Sequence, residues 1–341
     1  MKAIVVDIGG TNLRVALFEQ EQGQPGQLKQ VKREKVCSFA VSQVKGQALY
    51  RAFLSQLEAC LHPYLSQYPD CPLAIAFPGP VSPSGVVSCA PTLWGEELRQ
   101  VDFLDDCKNL FRRHVVLMND ISAAVWRYAD HGSHENTSGN DFCLFTISSG
   151  VGNKVFSGGK VLLNDQGQGG ELGHCQLAFD EYALRCDCGG YGHLGALASG
   201  RGIEQLGRHM ASKAPAQFSS SALARLCGGD IDRIDTRKLV SALHQGDEFC
   251  HQVLSRSQHY LVQAMSHLYH SIGIKRFIFI GGFCCAVGLV YLESLKRVVR
   301  QFSWLGLGGE DIESMCRLGA SDDDHSLLGL GYYLSGGRQH G

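Results

Sequence analysis

Four clusters of residues in this 341-residue chain have types and spacings that can do chemistry. The first is Asp7-Ile8-Gly9-Gly10-Thr11-Asn12-Leu13-Arg14, set between apolar runs at 3–6 and 13–18. Adjacent glycines at a hairpin tip let backbone N–H groups converge on a phosphate at close range. Thr11 adds a hydroxyl donor, and Asp7, at the end of the first strand, can hold a hydrated metal ion. No Gly-Lys-Ser/Thr follows, so this is not a Walker loop; taken alone, it also reads as a plain turn.

Asn119-Asp120 follows an apolar strand at 115–118 and precedes the Ala-rich helix start Ser122-Ala123-Ala124. A carboxylate at the C-terminal edge of a strand lies where α/β folds bind ligands. Asp120 is there to accept a proton from a sugar hydroxyl attacking a γ-phosphoryl group, or to cap the helix. Gly169-Gly170-Glu171-Leu172-Gly173-His174 places an acceptor and a donor on one short turn, which suits the vicinal hydroxyls of a polyhydroxylated substrate. Its plainer reading is a surface turn. Cys186-Asp187-Cys188 comes twelve residues after His174, and His193 five beyond Cys188. His174, Cys186, Cys188 and His193 are enough for a closed tetrahedral zinc site, structural because no position stays open for water. Such an ion anchors His174 by one ring nitrogen and aims the other at substrate. Free thiols in a loop are the alternative. A Ser-His-Asp triad is disfavoured, since Ser148-Ser149-Gly150 lacks the Gly-x-Ser-x-Gly elbow.

The elements that must position these groups are legible in outline. Strands are expected at 3–6, 13–18, 35–39, 73–77 and 115–118, with a long hairpin loop over 20–30. Leu49, Phe53, Leu57, Leu61 and Leu65 recur every four residues and mark an amphipathic helix. The second half repeats the plan, with a strand at 142–147, a glycine turn at 148–152 and a hairpin over 154–163 tipped by Gly158-Gly159. A helix through Leu261, Met265, Leu268 and Ile272 follows, then an apolar strand at 277–280 running into Gly281-Gly282. Strand, glycine turn, strand opens both halves. The expected fold class is therefore α/β, with a mixed helix-covered sheet in each half and two phosphate loops facing one closable cleft. One domain is expected over 1–121, with a helix at 325–337 packing back on it, and the other over 122–324, with the metal knuckle near 174–193. Residues 131–140 read as a polar surface loop.

Composition sets outer limits. With 44% hydrophobic and 19% charged residues the chain is ordinary for a globular protein, long enough for two domains. A net charge of −2 argues against nucleic acid or an acidic membrane as partner. No apolar run approaches the ~20 residues needed to span a bilayer, and no cleavable signal is apparent. A cytosolic, reducing setting is expected, with the 14 cysteines mostly buried thiols such as Cys60, Cys143 and Cys250.

Together these residues resemble the ROK family (repressors, open reading frames and kinases), and most of all its bacterial glucokinase-like sugar kinases. The resemblance spans Asp7 to Arg14, Pro78-Gly79-Pro80, Ala90-Pro91, Asn119-Asp120, Gly150 to Gly152, Glu171 to His174, Cys186 to His193 and Gly281-Gly282. The Glu-x-Gly-His and Cys-x-Cys-Gly-x-x-Gly elements are specific to that family; the glycine loops are shared with the wider actin-like ATPase (ribonuclease H-like) fold. The resemblance implies ATP and Mg²⁺ as co-substrates and Asp120 as the catalytic base toward a primary, 6-type hydroxyl. It implies that Asp7, Gly9, Gly10, Thr11, Ser149, Gly150 and Gly152 surround the phosphates, with Gly281 and Gly282 near the adenosine. Gly79, Thr92, Asn119, Asp120, Glu171 and His174 would line the sugar site, and family members tend to be homodimers or tetramers.

Four departures qualify the match. The family's third zinc cysteine is His193 here, the sugar-contacting glutamate two residues on is Gly195, the asparagine after Ala-Pro is Thr92, and Gly-Thr-Gly reads Ser148-Ser149-Gly150. Losing a charged acceptor removes a hydrogen bond worth ~1.5–3 kcal/mol and leaves room for an amino sugar or a cyclitol as well as a hexose. Family repressors carry a helical DNA-binding module ahead of the ATPase-like body, whereas this chain opens on the phosphate loop, so an enzyme is expected ahead of a sugar-sensing regulator or a turnover-deficient binding protein.

Overall fold

The computed structural model describes residues 1–39, 42, 44–129 and 141–336; the expected loop at 131–140 lies outside them. The described chain separates into two compact units, one from 1–129, 159–169 and 324–336, the other from 141–158 and 170–323.

Seven strands belong to the first unit's opening stretch: β1 (Lys2–Ile8), β2 (Asn12–Glu19), β3 (Gln27–Lys35), β4 (Leu73–Phe77), β5 (Val87–Ala90), β6 (Gly95–Val101) and β7 (Val115–Asn119). The main sheet runs β3-β2-β1-β4-β7, and β5 and β6 pair separately. β1 and β2 form an antiparallel hairpin in which Asp7 stands opposite Arg14, while β4 lies parallel to both β1 and β7. Parallel strands buried on both faces need continuous apolar character, and all five residues of β4 are buried. On one face the helix Gly46–Gln67 buries Leu49, Phe53, Leu57 and Leu61, as the four-residue spacing anticipates.

The other face is built mostly from small residues, Ala3, Val5, Ala16, Ala74 and Ala76, with Phe18 the one large side chain of its strands that is fully buried there, and Leu327, Leu330 and Leu334 of the C-terminal helix His325–Gly336 pack on it. That helix also packs tightly on the helix Asp120–Trp126, so close that a Cβ on Gly329 would lie 1.8 Å from the carbonyl oxygen of Ala123. Gly329→Ala must therefore push the helices apart. Overpacking of this kind costs about 1–3 kcal/mol, and a clearly lowered thermal midpoint is expected; an unchanged midpoint would contradict the packing. Because Asp120–Trp126 joins this contact, the first unit extends beyond the division after residue 121 expected from sequence.

One expected element is misplaced. The third strand is Gln27–Lys35, covering part of the expected loop, and residues 36–39 are not a strand. β3 is an edge strand and mostly exposed, so it lacks the apolar alternation that reveals a strand.

In the second unit β8 (Phe142–Ile147) and β9 (Val151–Ser157) form a hairpin. Gly158 and Gly159 then turn the chain toward β10 (Lys160–Val161), as expected. β11 (Phe277–Ile280) lies parallel to β8, and β12 (Cys316–Leu318) parallel to β11. The order β9-β8-β11-β12 repeats β2-β1-β4-β7. Its largest helix is Glu248–Ile272, longer at its N-terminus than the periodicity from Leu261 suggests, and it buries Leu254, Leu261 and Met265. All 14 cysteines are free thiols. Among the described residues no helix is long and apolar enough to cross a membrane.

Candidate active site

In the first unit, the candidate residues gather at the C-terminal edge of the parallel strands. The turn after β1 is closed by the Gly9 N–H donating to the Asn12 carbonyl at 2.8 Å. Asp7 ends up half-buried, and Thr11 is exposed at the tip. A Cβ on Gly10 would lie 3.5 Å from that of Thr92, so Thr92 borders the phosphate turn. β7 stands two strands from β1 with β4 between, which puts the ends of the Asp7 and Asn119 strands roughly 10 Å apart on one edge.

Asn119 is the organising residue there. Its side-chain oxygen accepts from the Ile121 and Ser122 N–H groups at 3.1 Å, so it caps the helix Asp120–Trp126. Its amide donates to the Gly79 carbonyl at 3.1 Å and to Asp120 Oδ1 at 2.9 Å. Asp120 is therefore not the N-cap that its sequence position also allowed. It occupies the first helical position, its Oδ1 additionally accepting from the Ile121 N–H at 2.8 Å, and the carboxylate is held from two sides. Gly79, Asn119 and Asp120 are brought together; Thr92 sits beside Gly10.

In the second unit, Ser148 donates its N–H to the Gly150 carbonyl at 3.0 Å, making a tight turn between β8 and β9. Gly152 is not in that turn: it lies within β9 opposite Thr146, because pairing resumes at Val151. Gly281 has a φ of 109°, and a Cβ there would come within 2.7–2.9 Å of the Ile147 backbone, so only glycine fits against the end of β8. A cavity of about 490 Å³ opens beside it, lined by Ser149, Gly200, Thr236, Gly282 and Phe283. Its size and its place between the two glycine turns suit a nucleoside.

Glu171 precedes the one-turn helix Leu172–His174 and His174 ends it, and both are exposed. The Leu172 N–H donates to Asn153 Oδ1 at 3.0 Å, and Lys154 Nζ lies 3.8 Å from Glu171 Oε1. Sequence reasoning passed over Asn153 and Lys154. Both are buried, and an Asn-Lys pair inside an apolar strand is the signal that marks them. The ligand-type atoms of His174, Cys186, Cys188 and His193 all lie within 4.8 Å of one another, Cys188 Sγ being 3.2 Å from His193 Nδ1. Burial raises the Cys186 thiol above its ordinary pKa, which a bound cation would reverse. A second cavity of about 190 Å³ adjoins this cluster, lined by Gly150, His174, Cys186, Gly195 and Arg201.

Two sheets of the same hairpin-plus-parallel-strand plan, each carrying its turn at a strand end, define the two-domain actin-like ATPase fold. A glucokinase of Streptomyces griseus solved with glucose and AMPPNP has it too, with a TM-score of 0.70 at 21% identity, over 97% of this chain and 98% of that one. The chain belongs to the ROK family, whose family model matches residues 3–332. It is 36% identical over 331 residues to a C(7)-cyclitol 7-kinase of Streptomyces hygroscopicus subsp. limoneus, covering 96% of this chain and 92% of that protein. It is 32% identical over 305 residues to an N-acetylmannosamine kinase of Shigella boydii serotype 18, covering 88% and 89%.

Proposed function

We propose that this ROK protein is an ATP-dependent kinase that phosphorylates the primary hydroxyl of a polyhydroxylated ring, with a cyclitol favoured over plain glucose. The observation that carries the reading is the Asn119–Asp120 clamp, which fixes a carboxylate on the same sheet edge as the Asp7–Thr11 turn. The chemistry follows from that placement. Asp120 takes the proton of the attacking hydroxyl as its oxygen bonds to the γ-phosphorus; the bond from that phosphorus to the bridging oxygen breaks, and ADP leaves with the electron pair. The backbone N–H groups of Gly10 and Thr11 stabilise the charge on the transferring group, the Gly9 N–H being spent on closing the turn. Asp7 has the carboxylate chemistry to hold Mg²⁺ through water, and that ion would neutralise phosphate charge.

His174, Cys186, Cys188 and His193 fit a closed zinc site in number, donor type and mutual spacing. Zinc would supply a structural crosslink there. His174 and Glu171 then read the ring hydroxyls, and Gly150 and Gly281-Gly282 receive the nucleotide.

Two features support a cyclitol or similarly substituted ring. Gly195 puts no side chain into the 190 Å³ cavity beside His174, whose one lining carboxylate, Asp187, is paired with Arg201, and a Cβ at 195 would already lie 3.1 Å from the Gly173 carbonyl oxygen. The cyclitol kinase is also the more similar of the two relatives compared, and matches over more of this chain. An N-acetylated hexosamine is the second reading, supported by the N-acetylmannosamine kinase. An ADP-release assay over hexoses, N-acetylhexosamines and hydroxymethyl-bearing cyclitols decides between them. The expected result is the highest kcat/KM on a cyclitol, and no turnover on a ring without its primary hydroxyl. A silent panel would refute kinase activity, and preference for the hexosamine would move the assignment to the second reading.

A further inference from the structure

Arg14 has no place in the phosphate-turn chemistry above, yet it is only 7% exposed. It stands opposite Asp7 across the β1–β2 hairpin and sends both Nε, at 3.1 Å, and Nη2, at 2.6 Å, to one oxygen of that carboxylate, Oδ2. Among the described residues Asp7 Oδ1 has no hydrogen-bond partner. Arg14 Nη1 donates at 3.2 Å to Oδ1 of Asp324, a residue 310 positions away where the chain returns to the first unit. Two residues on, the Ser326 hydroxyl donates to the Asp120 carbonyl at 3.2 Å. Between them His325 Nδ1 lies 3.1 Å from Arg127 Nη1 and 2.9 Å from the Tyr128 hydroxyl. Three consecutive residues thus grip the partner of Asp7, the end of the Asp120 helix and the backbone of Asp120 itself.

We infer that Arg14 and Asp324 are positioning residues for the nucleotide-bound cation: Arg14 occupies one oxygen of Asp7 so that Oδ1 is presented to it, and Asp324 fixes the guanidinium that does so. A planar fork is needed because the same group must meet two carboxylates with separate N–H vectors, and a lysine ammonium cannot reproduce both at once. Mere charge balance would be served by either cation. The inference rests on the proposed phosphotransfer.

The test measures the free Mg²⁺ concentration for half-maximal turnover, with the KM for the ring substrate and the thermal midpoint, in the wild type, Arg14→Lys and Asp324→Asn. Partners that orient a metal-binding carboxylate change metal affinity by about 10–100-fold. Arg14→Lys is expected to raise the Mg²⁺ requirement about tenfold or more, with the ring KM unchanged; Asp324→Asn moves it the same way by less. A purely structural role would lower the midpoint without moving the Mg²⁺ curve, and an Mg²⁺ requirement equal to wild type in a folded Arg14→Lys overturns the inference. Should Arg14→Lys not fold, Asp324→Asn decides by the same criterion. The two failures are separable: a wild type that neither turns over nor binds Mg·ATP by calorimetry sinks the phosphotransfer reading. Normal wild-type behaviour with unshifted variants sinks only the roles of Arg14 and Asp324.

Discussion

Asp120→Asn is expected to lower kcat by roughly 10²–10⁴-fold while leaving ring-substrate affinity close to wild type, because what it removes is the proposed proton acceptor. The substitution is nearly isosteric. Position 120 is held by the Asn119 amide and the Ile121 N–H, and a side-chain amide oxygen accepts the second of these equally well. The helix stays capped by Asn119, so the backbone of the site has no reason to move. A loss of binding equal to the loss of turnover would instead assign Asp120 to substrate recognition. Turnover within about tenfold of wild type would remove it as the base. Steady-state kinetics and calorimetric titration of the ring substrate separate these outcomes.

Loss of the zinc proposed for the His174, Cys186, Cys188 and His193 cluster is expected to have the next largest effect. Metal analysis should find one zinc per chain, absent from Cys188→Ala, whose ring KM rises at least about tenfold as His174 loses its anchor. The reason lies in the lack of any helix or strand over residues 175–193. The Cys186 N–H donates to the Gly190 carbonyl at 2.7 Å and the Gly189 N–H to the Cys186 carbonyl at 2.9 Å. The Leu177 and Ala178 N–H groups donate to the Gly192 carbonyl and the Gly192 N–H to the Leu184 carbonyl, with isolated bridges of Gln176 to His193 and Arg185 to Tyr191. Of the four ligand-type residues only Cys186 is buried, so apolar packing of the ligands themselves contributes little. Proteolysis of Cys188→Ala should begin in this segment. Fully active protein without zinc would show that hydrogen bonds alone fix His174.

The duplicated plan was readable because buried parallel strands write themselves as unbroken apolar runs, as residues 73–77 and 277–280 do. Glycine turns at their ends and the Cys-x-Cys cluster were readable for the same reason: local chemistry leaves local spacing. β3 escaped because an exposed edge strand has no buried face to impose a pattern. Asn119 is placed in the site by the sequence, but its cap is not, and Asp120 stands there as the alternative cap, since which of two adjacent polar residues turns inward depends on the Gly79 carbonyl supplied by the bend after β4. The Arg14–Asp324 contact joins residues 310 apart, and nothing in either neighbourhood announces the other. Gly152 shows the reverse error. A glycine next to a turn was counted into it, although strand pairing had already resumed one residue earlier.

The proposed phosphotransfer geometry is tested by a crystal structure of the protein with Mg²⁺, a non-hydrolysable ATP analogue and the ring substrate that the assay selects. The terminal phosphate is expected on the N–H groups of residues 10 and 11, and the primary hydroxyl within hydrogen-bonding distance of the Asp120 carboxylate, in line with the bond to be broken. A nucleotide seated elsewhere, or a ring whose reactive hydroxyl points away from Asp120, would contradict it.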